Sequence, residues 1–479
     1  MNEPSIYWHD YETFGTDPRR DRPAQFAGQR TSLELEPIGA PLTLYCQPAS
    51  DILPQPMSCL VTGITPQHAQ RHGVREAEFA ARVHEELAQP GTCGAGYNSI
   101  RFDDEFTRNL LYRNFYDPYE REWKDGNSRW DIIDLARMCH ALRPDGIAWP
   151  RRDDGGVSFR LEDLTQANNL AHAHAHDALS DVHATIELAR LLKHRQPRLW
   201  DFYFALRRKQ QALDLLDYVR RTPVLHVSSR FASERGCLAI VVPLAAHPDQ
   251  GNKVIVYDLD ADPAPLLELE AEAIAERVFV SQADLPQDLA RIPLKVVHAN
   301  KSPALAPLSV LKGTDTARIK LDVDRALRHL AQLQGAADLG EKVRRVFARV
   351  DAASARPDAE LAIYHGFCSD SDRRLCAEVR RTPAPQLTRE FDFKDPRCRE
   401  LLFRYRARNY VETLSADERE RWDAFRRERL TTSTPLTGLT LEQYFAELAA
   451  HRGDAALSGT QRAVLDQLEA WGRALAATL

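Results

Sequence analysis

The sequence predicts a mixed α/β segment followed by a small β-rich segment and an all-helical one, and three observations carry that prediction. Strand-like and helix-like stretches alternate over residues 1–190, which argues for a sheet with helices on its faces. Short β-branched runs separated by turn residues occupy 197–350. Strand signals vanish from about Pro357, where Arg, Glu, Leu and Ala dominate. A chain of 479 residues exceeds the size at which one core keeps growing, so separate domains over 1–190, 197–350 and 355–479 are expected. Ala352–Pro357 reads as the linker before the last of them.

In the first segment, Ser5–His9, Gly39–Cys46 and Cys93–Tyr97 are β-rich, the last flanked by glycines. Phe79–Leu87, Asp104–Phe115 and Asp181–His194 carry helical spacing. Arg195-Gln-Pro-Arg ends the last of these helices, because proline cannot continue it. Val224–Val227, Leu238–Val242, Val254–Tyr257 and Leu294–Val297 are the strand candidates of the middle segment, and Val323–Leu333 is a helix that closes it.

The composition, 43% apolar and 28% charged, is that of a soluble globular protein. No apolar run approaches the roughly 20 residues that span a bilayer, and the N-terminus lacks a basic region followed by an apolar one. A cytoplasmic protein is expected. The eight cysteines are dispersed without a C-x-x-C pair, and read as reduced, mostly buried thiols. A net charge of −6 does not exclude a nucleic-acid ligand, since distribution matters more than total. Arg207–Lys209 reads as a solvated helix face. Lys342–Arg349 is a second basic cluster, and the aromatic-interleaved Phe403–Tyr410 is the more interesting one.

Three fragments carry chemistry. In an extended strand Asp10 and Glu12 point to the same side, and two carboxylates so close repel unless a cation sits between them. Alone, such a pair is also what a solvated strand end carries. Asp103 and Asp104 follow a glycine-rich strand and open a helix, where the dipole favours anions, and spacing does not decide between metal ligand and N-cap for either. Asp181 falls in the first turn of a helix, with His176 on the preceding loop. His172 and His174 compete with His176, whose spacing to Asp181 favours it. Four carboxylates and one imidazole suffice to hold two divalent metals and activate a water against a phosphodiester.

The pattern D-x-E, then Asp, then H-x-x-x-x-D resembles the DEDDh exonucleases. More narrowly, the chain resembles the bacterial exodeoxyribonuclease I family through His9-Asp-Tyr-Glu-Thr-Phe-Gly15, Asp21-Arg-Pro-Ala-Gln-Phe26, Gly96-Tyr-Asn98, Arg101-Phe-Asp-Asp-Glu105, Tyr112-Arg-Asn-Phe-Tyr-Asp-Pro118, Asn127-Ser-Arg-Trp-Asp131 and Phe159-Arg-Leu161. It continues in His298-Ala-Asn-Lys-Ser-Pro303, Gly366-Phe-Cys-Ser-Asp370 and Tyr405-Arg-Ala-Arg-Asn409. The short catalytic motifs identify the superfamily, and the longer matches identify this member over nearly the full length.

The resemblance implies an α/β ribonuclease-H-like exonuclease domain, a β-rich SH3-like domain and an α-helical C-terminal domain around a groove for single-stranded DNA. It implies processive 3′–5′ digestion to 5′-mononucleotides in DNA repair and recombination, with two Mg²⁺ ions and Mn²⁺ as the alternative. Position by position, Asp10, Glu12, Asp103 and Asp181 match the metal-binding carboxylates, and His176 matches the general base. Glu12 and Arg160 match contacts to the terminal nucleotide, Arg108 is a further phosphate-contact candidate, and Arg143 matches a basic position that receives the C-terminal tail of the single-strand DNA-binding protein. A monomer is implied. Tyr97, Phe102 and Trp130 are candidates for base stacking or for core packing.

Three rivals compete. An exoribonuclease would share the catalytic residues but not the long extensions. A haloacid-type phosphotransferase gives no job to His176, and a catalytically dead clamp does not explain five filled catalytic positions.

Overall fold

The computed structural model describes residues 3–172, 177–287, 289–348 and 357–479. The chain forms two compact units, one from residues 1–128, 172–183 and 354–479, the other from 129–171 and 184–353. The helical C-terminal segment therefore belongs with most of the N-terminal one. The expected linker lies, except for Pro357, outside the described residues.

The first sheet has the order β3-β2-β1-β4-β5, from Ser5–Thr13 (β1), Pro23–Thr31 (β2), Pro37–Tyr45 (β3), Thr92–Gly96 (β4) and Ser128–Asp131 (β5). β1 pairs antiparallel with β2 and parallel with β4. The parallel pairing makes β1 a central strand, buried on both faces, which explains its run of Ile6, Tyr7, Trp8 and Tyr11. β1 is longer than the sequence suggested, so Asp10 and Glu12 lie within it, just before a register shift at Glu12/Thr13. Behind this bulge the chain turns sharply at Gly15, where a Cβ would fall 2.2 Å from the Asp21 carboxylate.

β2 was not anticipated. Tyr7, Tyr11, Phe26, Phe79, Val83 and Leu110 form the apolar layer on one side of this sheet, with the helices Glu76–Leu87 and Asp103–Arg113 supplying the last three.

The same unit contains a buried ion network contributed by residues far apart in sequence. Asp51 is bound by Arg408 (2.7 Å) and Arg429 (2.8 Å), and Glu360 by Arg408 (2.6 Å), Arg22 (2.7 Å) and Arg404 (3.0 Å). Glu76 is bound by Arg113 at 2.8 Å. Arg404 also meets Asp358, and Arg406 meets Glu418. The basic cluster Phe403–Tyr410 is thus corrected: Arg404 and Arg406 are buried, the Arg408 side chain is 5% exposed, and all three are paired with carboxylates rather than forming a nucleic-acid face.

In the other unit, Val224–Val227 (β6), Leu238–Ala246 (β7), Lys253–Asp258 (β8), Leu294–His298 (β9) and Ala304–Pro307 (β10) form an antiparallel sheet of order β10-β6-β7-β8-β9. The helix Val323–Gly335 follows. Among the described residues no helix is long and apolar enough to cross a membrane.

Candidate active site

The carboxylates that the sequence separates meet at the end of β1. Asp10, Glu12 and Asp181 each offer an oxygen, and the three lie within 4.8 Å of one another. β1 fixes the first two by its two-residue repeat. The helix Ala178–Arg195 brings Asp181 in its first turn, and its start is tied down by Asp177, whose Oδ1 accepts from Ser180 N at 3.1 Å, and by Gln25, whose Oε1 accepts from Ala178 N at 3.3 Å. Asp177 and Gln25 were not anticipated as parts of the site.

Asp103 and Asp104 divide at the start of the helix Asp103–Arg113. Asp103 Oδ1 accepts from Tyr11 N at 3.1 Å, which holds it against β1, and its charge acts on Asp10. Asp104 is bound by Arg121 at 2.6 Å. This geometry supports Asp103 as the fourth carboxylate.

Burial first, then the charges of Asp103, Glu12 and Asp181, pushes the Asp10 carboxyl well above the usual carboxylate range. Burial and the charges of Asp181 and Asp177 push Glu12 up to about 8. An all-oxygen donor set under such mutual repulsion fits a hard divalent cation such as Mg²⁺ or Mn²⁺.

The other expected residues fall as follows. His176 lies outside the described residues. His172, set aside on spacing, has Nε2 2.6 Å from Asp181 Oδ1. Arg108 is buried, and its guanidinium binds Glu122 through Nε and Nη2 at 2.7 and 2.8 Å and Glu105 through Nη1 at 2.9 Å. Those donors are directed at carboxylates of its own neighbourhood, which argues for a structural ion pair rather than a phosphate contact. Arg160 is exposed at the N-cap of the helix Leu161–Ala167, in the unit that holds the second sheet. Arg143, in that unit too, donates to Thr314 Oγ1 (2.6 Å) and to the carbonyls of Val310 (2.9 Å) and Lys312 (3.0 Å). Trp130 is fully buried among Trp200, Tyr203 and Phe204 and so packs a core. Tyr97 and Phe102 are part-exposed.

Comparison with known proteins shows what the chain is similar to. Residues 7–189 match the family described as Exonuclease, 207–349 the Exonuclease I SH3-like domain and 357–475 the Exonuclease I C-terminal domain. Exodeoxyribonuclease I of Escherichia coli (strain K12) is 47% identical over 434 residues, 90% of each chain. That of Haemophilus influenzae is 44% identical over 90% of this chain and 91% of its own. The solved exonuclease I of Methylocaldum szegediense superposes with a TM-score of 0.95 at 51% identity, covering 98% of this chain and 99% of its own. Escherichia coli exonuclease I in complex with a dA16 oligonucleotide gives 0.94 at 44%, covering 99% and 100%.

Proposed function

Because the chain belongs to the exodeoxyribonuclease I family, we propose that it degrades single-stranded DNA processively from the 3′ end to 5′-mononucleotides, in DNA repair and recombination. The observation that carries this reading is the convergence of Asp10, Glu12 and Asp181 within 4.8 Å, in a chain similar to a relative solved with a DNA oligonucleotide.

Asp10, Glu12, Asp103 and Asp181 would hold two divalent ions, magnesium with manganese as the alternative. Such ions, when bound, lower the pKa of a water and offset charge on the attacking and leaving oxygens. Each carboxylate has its own support. Asp10 and Glu12 are spaced by the strand, Asp103 is held by Tyr11 N, and Asp181 is fixed by a capped helix and by His172. His176 takes the proton from the attacking water, a task suited to a group of ordinary pKa about 6.5. Glu12 and the exposed Arg160 contact the terminal nucleotide, the guanidinium gripping phosphate with two donors.

Domains spanning 1–190, 197–350 and 355–479 carry these roles, in a cytoplasmic monomer. Arg143 contributes to a seat for the C-terminal tail of the single-strand DNA-binding protein.

The test is magnesium-dependent digestion of a 5′-labelled single-stranded oligonucleotide beside duplex and RNA controls. A ladder shortening from the 3′ end on single-stranded DNA alone is the expected result. Preference for RNA would replace this reading with an exoribonuclease, and binding without cleavage with an inactive clamp.

A further inference from the structure

Three of the dispersed cysteines meet in the C-terminal segment. Cys368 precedes the helix Asp370–Arg381, Cys376 lies on it, and Cys398 lies in the first turn of the helix Pro396–Asn409. The Cys368 and Cys398 sulfurs are 4.0 Å apart, and Cys376 interacts with both thiols. An oxygen of Asp395, the N-cap of the second helix, lies within 4.8 Å of the Cys368 and Cys398 sulfurs. Cys398 is buried, whereas Cys368 and Cys376 are half-buried. All three line a cavity of about 290 Å³ that reaches Phe367 and Lys124.

From this juxtaposition we propose that Cys368, Cys376 and Cys398, with Asp395 beside them, form a second metal site, one that takes a thiophilic d¹⁰ cation such as zinc. Two sulfurs each about 2.3 Å from a tetrahedral zinc lie roughly 3.8 Å apart, close to the separation already present. Thiolate donors select soft cations, whereas the all-oxygen cluster at Asp10 selects hard ones, so the two sites discriminate by chemistry. The half-buried positions of Cys368 and Cys376 on the cavity wall provide an entry path.

The surrounding charge is compatible. Three thiolates around a divalent ion leave one net negative charge, and the guanidinium groups of Arg397 and Arg380 act on Cys368 and Cys376 respectively. Each thiol that binds releases its proton to solvent. Asp395 is already engaged by Arg397 at 2.6 Å, which leaves the sulfurs as the primary ligands.

The test uses the full-length, reduced, metal-free chain titrated with Cd²⁺, a thiophilic probe whose thiolate complexes absorb in the ultraviolet and whose carboxylate complexes do not. The expected result is a charge-transfer band that saturates at one equivalent, is retained in Asp10→Asn, is displaced by excess Zn²⁺, and is lost in both Cys368→Ser and Cys376→Ser. These half-buried positions are chosen over Cys398 so that the variants fold, which circular dichroism verifies. Absence of the band in the parent chain, or its persistence in either folded serine variant, overturns the proposal and leaves the three thiols as packing.

Discussion

Asp104 Oδ1 accepts a hydrogen bond from Arg121 Nη2 at 2.6 Å, with the two side chains 2% and 1% exposed. The preceding carboxylate, Asp103, instead takes its bond from Tyr11 N on β1. Adjacent aspartates thus serve different ends, and substitution separates them. Asp103→Asn is expected to lower turnover by ~10³-fold or more with little change in melting temperature. Asp104→Asn is expected to weaken folding by about 3–5 kcal/mol, the cost of stripping a buried arginine of its close carboxylate. Single-turnover cleavage beside thermal unfolding reads both. A stable but inactive Asp104→Asn with an active Asp103→Asn would exchange the two roles.

Asp181→Ala removes a carboxylate without touching Arg160, the proposed phosphate contact. It is expected to abolish cleavage while single-stranded DNA still binds, as followed by fluorescence anisotropy in magnesium. Normal turnover by this variant would remove Asp181 from the site.

Glu12 gives a pH signature. Its carboxyl is pushed up to about 8 by burial and by Asp181 and Asp177, so the folded metal-free chain holds this proton more tightly than the unfolded chain. That contribution to stability is fully present below about 4.5, the ordinary glutamate value, and is lost as pH rises through about 8. Melting temperature of the metal-free chain should therefore fall over this window, less so in Glu12→Gln, and less so with Mg²⁺, where a cation replaces the proton. Identical pH profiles for parent and variant would dismiss the effect.

The ion network has the opposite pH dependence. Arg113 and Arg22 hold Glu76 down to about 2 against the effect of burial, and Asp51 and Glu360 are likewise held low by Arg408 and its neighbours. Stability from these groups is present above their ordinary range and lost as pH falls through the folded values. Arg408→Ala, which strips a partner from both Asp51 and Glu360, should cost about 3–5 kcal/mol in denaturant unfolding at neutral pH. A loss under 1 kcal/mol would mean that the remaining arginines compensate.

Local pattern made much of this molecule readable. The strands Val224–Val227 and Leu294–His298 and the helix Val323–Gly335 follow their apolar periodicity, and the D-x-E pair followed from a strand's two-residue repeat. β2 escaped because Pro-Ala-Gln-Phe-Ala-Gly-Gln-Arg-Thr has neither alternation nor a β-branched run. Pairing on both sides, with β1 and β3, holds it as a strand. The arginines of 403–410 looked like a surface because lone charges normally are, and Arg408 finds its partner Asp51 357 residues away in sequence. The same distance effect hid the thiol cluster, whose members lie in a loop and on two helices. Arg121, whose pairing with Asp104 supports Asp103 as the proposed ligand, carries no motif at all.

That long-range pairing also dictates an order of events during synthesis. Asp51 leaves the ribosome 357 residues before Arg408 and 378 residues before Arg429. Until then Asp51 lacks both of these counter-ions, and Phe14 and Leu53 also wait for Leu430, Tyr444 and Leu465, with which they share an apolar cluster. The unit that holds Asp10 and Glu12 is therefore completed by residues of the helical segment, and a nascent chain stalled before them would carry these carboxylates on an unfinished scaffold.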